Sequence, residues 1–153
     1  DEGISRVSHG ASADSLTAFD VSRTAMTDEA CATVCRMRNL RSVAIGRCFT
    51  VPRRCISNAG LISLSKLQSL ESLTIMHGGK FSQDGFAALA RLPRLATLVF
   101  DVVTLAGPDI VAFAASKALQ YLSMRRCSIF GDHLWAASDL CSRHPFLHIA
   151  YVE

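Results

Sequence analysis

Apolar residues occupy the first, fourth and sixth places of Leu95-Ala96-Thr97-Leu98-Val99-Phe100. The spacing recurs as Leu40, Val43, Ile45, as Leu70, Leu73, Ile75, and as Leu119, Leu122, Met124. Looser copies are Leu16, Phe19, Val21 and Leu147, Ala150, Val152. The last two apolar places of each copy alternate with other residues, which is the period of a half-buried strand. Between the copies the period lengthens. Cys31, Val34, Met37; Leu61, Leu64, Leu67; Phe86, Leu89, Leu92; and Ile110, Phe113 put one apolar stripe on each of a series of short helices. Thr27, Ser57 and Ser82 stand where an N-cap hydroxyl is wanted. Ile4 and Val7, one turn apart behind Asp1-Glu2-Gly3, predict a further helix at the start.

Successive lead leucines are separated by 24, 30, 25, 24 and 28 residues. A unit of one strand and one helix cannot bury both apolar faces alone. Stacked neighbours make one continuous core, the logic of an α/β solenoid. Residues 1–153 then form one domain of about five strand–turn–helix units and a final strand. Each buried lead leucine contributes on the order of 1.5–3 kcal/mol.

Two copies extend to Leu119-Gln-Tyr-Leu122-Ser-Met124-Arg-Arg-Cys127 and Leu40-Arg-Ser-Val43-Ala-Ile45-Gly-Arg-Cys48. This pattern, with cysteine at the last place and a capped helix after it, resembles the leucine-rich repeat superfamily, in its cysteine-containing and ribonuclease-inhibitor-like subtypes. The resemblance covers nearly the whole chain. It implies a right-handed solenoid with parallel strands on a concave face and helices on a convex one. Thr24, Gly78 and Val103 depart from the pattern at the Asn/Cys place.

Composition narrows the function. Half the residues are apolar and 19% are charged, so the chain is built to fold. A net charge of +3, with few aromatics among the basic residues, argues against nucleic acid. No apolar run approaches the ~18 residues of a membrane span. Most of the six cysteines fall in apolar-periodic places, where a free thiol packs as a small hydrophobe. Reduced cysteines in turn lead us to expect an intracellular setting, cytoplasmic or organellar-matrix.

No cofactor motif is present, and no nucleophile stands in a G-x-S-x-G or phosphate-loop context. Cys141, His144 and His148 carry ligand types but lack a fourth partner, so we expect no metal. The chain reads as a non-enzymatic module or scaffold that binds protein. With the leucines inward, the residues between them line the concave face. One row reads Ala18, Ser42, Ser72, Thr97, Tyr121, Ile149, and the next Asp20, Ala44, Thr74, Val99, Ser123, Tyr151. A third reads Ser22, Gly46, Met76, Asp101, Arg125, Glu153. Tyr121, Arg125, Arg126 and Tyr151 are the expected hot spot, with Arg47, His77 and Asp101 along the rim. The longest period holds an extra basic loop at 49–55 with Arg53 and Arg54, a second candidate contact.

Two other readings stay open. One is a structural accessory subunit of a large assembly, a mitochondrial one among the options. The other, implied only by the resemblance, is the substrate-recognition region of an F-box-type ubiquitin ligase. We expect further repeats or a partner subunit to cover the ends.

Overall fold

The computed structural model describes residues 2–10, 13–22, 24, 26–46, 56–77, 81–131, 133–145 and 147–152. Strands β1 (Ala18–Val21), β2 (Ser42–Gly46), β3 (Ser72–Met76) and β4 (Thr97–Asp101) follow one another in the chain. After them come β5 (Thr104–Ala106), β6 (Tyr121–Arg125), β7 (Ser128–Phe130) and β8 (His148–Val152). Six of these make one sheet in the order β1-β2-β3-β4-β6-β8, parallel throughout, and β5 pairs with β7 in a small parallel sheet. The helices are α1 (Glu2–His9), α2 (Asp28–Val34), α3 (Asn58–Leu64), α4 (Gln83–Ala90), α5 (Gly107–Val111) and α6 (His133–Arg143). The molecule is α/β, with one face of the sheet packed on helices.

Val43, Ile45, Leu73, Ile75, Leu98, Phe100, Leu122 and Met124 are all buried on that face. Cys31, Val34, Leu61, Leu64, Phe86 and Leu89 meet them from the helices. Phe86 of α4 lies 5.4 Å from Phe100 of β4 and 5.4 Å from Phe113, ring centre to ring centre. The Phe86–Phe100 contact is edge-on, the geometry the aromatic quadrupole favours.

The helices are shorter than the apolar stripes. Met37, Leu67 and Leu92 lie past the helix ends, yet each is at most 2% exposed. Each is placed by the same tight turn: Met37 N–H donates to Val34, Leu67 to Leu64, and Leu92 to Leu89, at 3.0 Å in every case. At α1 the expected stripe is corrected. Ile4 and Ser8 face inward, while Val7 is 42% exposed. A spacing of four residues keeps a helical side chain on one face more closely here than a spacing of three.

Register runs straight across the sheet. Ala18, Ser42, Ser72, Thr97 and Tyr121 align as expected, but the next partner is His148, not Ile149. Ile149 aligns with Leu122 and Tyr151 with Met124. The expected rows are therefore wrong by one residue at β8. His148-Ile-Ala-Tyr-Val offers apolar residues on both faces, so its pattern fixes the register weakly, and one step moves every side chain to the opposite face.

The helix starts are tied together by side chains. Thr27 Oγ1 accepts from Ala30 N–H at 3.3 Å and Ser57 Oγ from Ala59 N–H at 3.2 Å. Asp28, the first residue of α2, reaches forward: Oδ1 accepts from Ser57 N–H at 2.9 Å, and Oδ2 from Ser57 Oγ at 2.6 Å. Asn58, the first residue of α3, does the same one step on. Its Oδ1 accepts from Ser82 N–H at 3.0 Å, and its Nδ2 donates to Ser82 Oγ at 2.6 Å. Ser82 thus forms no cap bond within α4. Both reaching side chains need space. A Cβ on Gly60 would lie 2.5 Å from Asp28 Oδ1, and one on Gly85 would lie 2.6 Å from Asn58 Oδ1.

Those oxygens are pinned by their hydrogen bonds and cannot swing aside freely. Gly60→Ala and Gly85→Ala should each destabilise the fold by about 1–3 kcal/mol through overpacking. Gly3→Ala, with nothing within 4 Å of the new methyl, should be neutral or stabilising. Chemical denaturation of the three variants checks this, and a benign Gly60→Ala would remove the close-approach argument.

Candidate interaction surface

The sheet face turned away from the helices is built from the residues between the core positions. Toward β1 and β2 it is open and, apart from the exposed Asp20, small: Ala18 and Ser42 are exposed and Ala44 is half-buried. Toward β6 it gains bulk and charge. Tyr121 is half-buried and Arg125 exposed. The two residues share β6 but stand four residues apart, about 13 Å along the strand. Tyr121 therefore sits beside Thr97 and His148, and Arg125 beside Asp101 and Val152.

Between them lies Ser123, flanked by Val99 and Ala150. It is 1% exposed, and its Oγ has no hydrogen-bond partner among the described residues. An unpaired buried hydroxyl costs about 1–3 kcal/mol relative to a paired one. Such a group in a folded protein calls for a physical reason. Sequence reasoning placed Ser123 in a row but gave it no role. The available signal was a hydroxyl at the centre of the one strand that also carries Tyr121 and Arg125.

The carboxyl ends of the strands form a rim. The chain leaves β3, β4 and β6 through His77, Val102 and Arg126, all left-handed, with φ of 50°, 55° and 49°. His77 N–H donates to Asp101 O at 2.8 Å, and Val102 N–H to Arg125 O at 2.9 Å. The left-handed turn at Arg126 points its guanidinium back toward β4. Its Nε donates to Asp101 Oδ1 at 3.0 Å and a terminal nitrogen donates to Oδ2 at 2.7 Å. This two-point, charge-assisted clasp is the strong geometry for arginine and carboxylate. The hydrogen bonds to Asp101, and then its charge, hold Arg126 still more firmly protonated than an ordinary arginine.

Of the expected site residues, His77, Asp101, Arg125 and Arg126 are thus brought together at one rim. Arg126 is committed to Asp101, which the sequence reading did not anticipate. The two are 25 residues apart, close to one strand period, and that spacing was the available signal. Tyr151 is separated from this group by the register of β8. It stands in the row of Met124, and its hydroxyl donates to Cys127 O at 3.3 Å. Arg47, Arg53 and Arg54, and the loop 49–55, lie outside the described residues.

The thiols follow their burial. Cys31 and Cys127 are buried, Cys35 is partly so, and Cys141 is exposed. Burial, and after it the Asp28 carboxylate, pushes the Cys31 thiol up to about 12. Burial pushes Cys35 up to about 11, partly opposed by Lys66. His144 Nε2 donates to Ala114 O at 2.7 Å. Among the described residues no cluster of three His, Cys, Asp or Glu side chains suits a metal ion. Among the same residues no helix is long and apolar enough to cross a membrane. Neither the protein-family models nor the curated proteins include a match to this sequence.

Two outcomes follow from these contacts. In a double-mutant cycle, Asp101→Ala and Arg126→Ala should lower Tm less together than the sum of the single losses. The coupling should shrink in 0.5 M salt, because Arg126 is 62% exposed. Additive losses would mean that the clasp contributes nothing. The thiols set an alkaline limit. Unfolded thiols ionise near 9.0, while folded Cys31 keeps its proton to about 12. Above pH 9 the native state then binds more protons than the unfolded one, so stability falls as pH rises. Cys31 contributes up to about 1.4 kcal/mol per pH unit to that fall. Denaturant titrations from pH 8 to 11 should show a flatter decline for Cys31→Ala than for the native sequence.

Proposed function

We propose that this chain is a leucine-rich-repeat module of the cysteine-containing, ribonuclease-inhibitor-like kind. It acts without catalysis and binds another protein across the open face of its sheet. The observation that carries the reading is the pair Tyr121 and Arg125, half-buried and exposed, which β6 presents on the face opposite the helices. A bound chain would stack on Tyr121 and meet Arg125, the residue types that dominate protein interfaces. The small side chains toward β1 and β2 would let that chain approach the strands closely. The parallel sheet and the recurrent leucine spacing support the repeat assignment.

A second reading, a structural subunit of a larger assembly, draws support from Phe130 and Trp135. They are 64% and 58% exposed, which is high for large apolar side chains. The ligase reading rests on resemblance alone and is not developed.

A photo-reactive amino acid at Tyr121 should trap a partner in cells of the native source. The same group at Ile62, exposed on α3, should trap none. Tyr121→Ala with Arg125→Ala should reduce partner capture by roughly tenfold or more, the scale of a hot-spot loss, with little change in Tm. Trapping from Ile62 alone, or capture untouched by the double substitution, would reject the sheet face.

A further inference from the structure

The amino ends of the strands carry a second feature, distinct from the sheet face. The residues just before β3, β4, β6 and β8 border a groove of about 750 Å³. Ala96, Leu119 and Leu147 give it an apolar lining, and Leu119 and Leu147 are themselves nearly buried. Arg94, Lys117 and Arg143 add three cations against one acid, Glu71. Glu71 already pairs with Arg41 at 3.4 Å, and Arg143 with Asp139 at 3.0 Å. Arg94 and Lys117 have no acidic partner among the described residues and are exposed. The groove therefore joins an apolar lining to two uncompensated positive charges.

We infer that this groove binds an acidic peptide segment of a partner protein, its carboxylates on Arg94 and Lys117 and an apolar side chain against Leu119 and Leu147. Its size lies within the range of ligand sites, roughly 300–1,000 Å³. Charge complementarity selects an acidic chain over a neutral or basic one. The apolar lining favours a peptide over a simple anion, which would use the cations and none of that lining. No Phe, Tyr or Trp lines the groove, and its one imidazole, His144, is held by a hydrogen bond to Ala114 O, which sets it apart from a single-stranded nucleic-acid channel with successive stacking rings. The inference does not depend on the sheet face, because no residue named there lines the groove.

The test uses the full chain and a fluorescein-labelled peptide of alternating glutamate and leucine, read by anisotropy at low salt. Binding should weaken as salt rises. Arg94→Glu and Lys117→Glu should each weaken it by about tenfold. Arg38→Glu changes net charge equally and also stands in the turn before a strand, at β2, so it should leave affinity within about twofold. Thermal melts of all variants keep loss of fold apart from loss of binding. A peptide in which serine replaces leucine should bind more weakly than the parent, which reports on the apolar lining. The site is overturned if the peptide fails to bind, or if all three reversals act alike. It is overturned equally if an oligothymidylate binds as tightly with the same dependence on Arg94 and Lys117.

Discussion

The structure depends on one constraint: each strand must lie level with the last. Every principal strand is parallel to its neighbour, and the pairings run in step from Ala18 through Ser42, Ser72 and Thr97 to Tyr121. Level strands bring Val43, Leu73, Leu98 and Leu122 into one buried row, and Ile45, Ile75, Phe100 and Met124 into another. On the helix side the same spacing is enforced by polar groups. Asp28 grips the start of α3 and Asn58 the start of α4, each across a glycine that leaves it room. Apolar rows supply the driving force, and the hydrogen-bonded helix starts supply the alignment.

Much of this was legible in the residues. The spacing of Leu95, Leu98 and Phe100, copied along the chain, located β2, β3, β4 and β6, because a strand buried on one face leaves a two-residue period. The helix stripes were legible for the same kind of reason. What escaped was nonlocal or locally ambiguous. Asp28 to Ser57 is a contact across 29 residues and leaves no periodic trace. The short pair β5 and β7 has three residues in each strand, too few to show alternation. At β8 the apolar residues fall on both faces, so the choice between Ile149 and Ala150 as the inward residue rests on backbone pairing to Tyr121–Arg125. That error carried into the site, since it moved Tyr151 out of the row it was assigned to.

The candidate surfaces place positive charge at both ends of the sheet. At the carboxyl ends, Arg126 is spent on Asp101 and Arg125 remains open. At the amino ends, Arg94 and Lys117 flank an apolar groove. The face between them is mostly small or uncharged, and among the described residues Ser123 is its one deeply buried hydroxyl. Binding at either end therefore draws on different forces: hydrogen bonding and aromatic contact near β6, screened charge and apolar burial at the groove.

The left-handed exits from β3, β4 and β6 carry a consequence for how such a molecule diversifies. Glycine is the usual occupant of that conformation, yet here it holds a histidine, a β-branched valine and an arginine. At His77 and Val102 the turn is held by backbone bonds to Asp101 O and Arg125 O, and at Arg126 it is accompanied by the side-chain clasp on Asp101. Local preference is overruled, at a cost of roughly 1–2 kcal/mol for each residue held there. The identity of the side chain is then released from the task of making the turn. These three positions form a row at which chemistry can be exchanged without redrawing the chain path, and the arginine that clasps Asp101 is one outcome of that freedom.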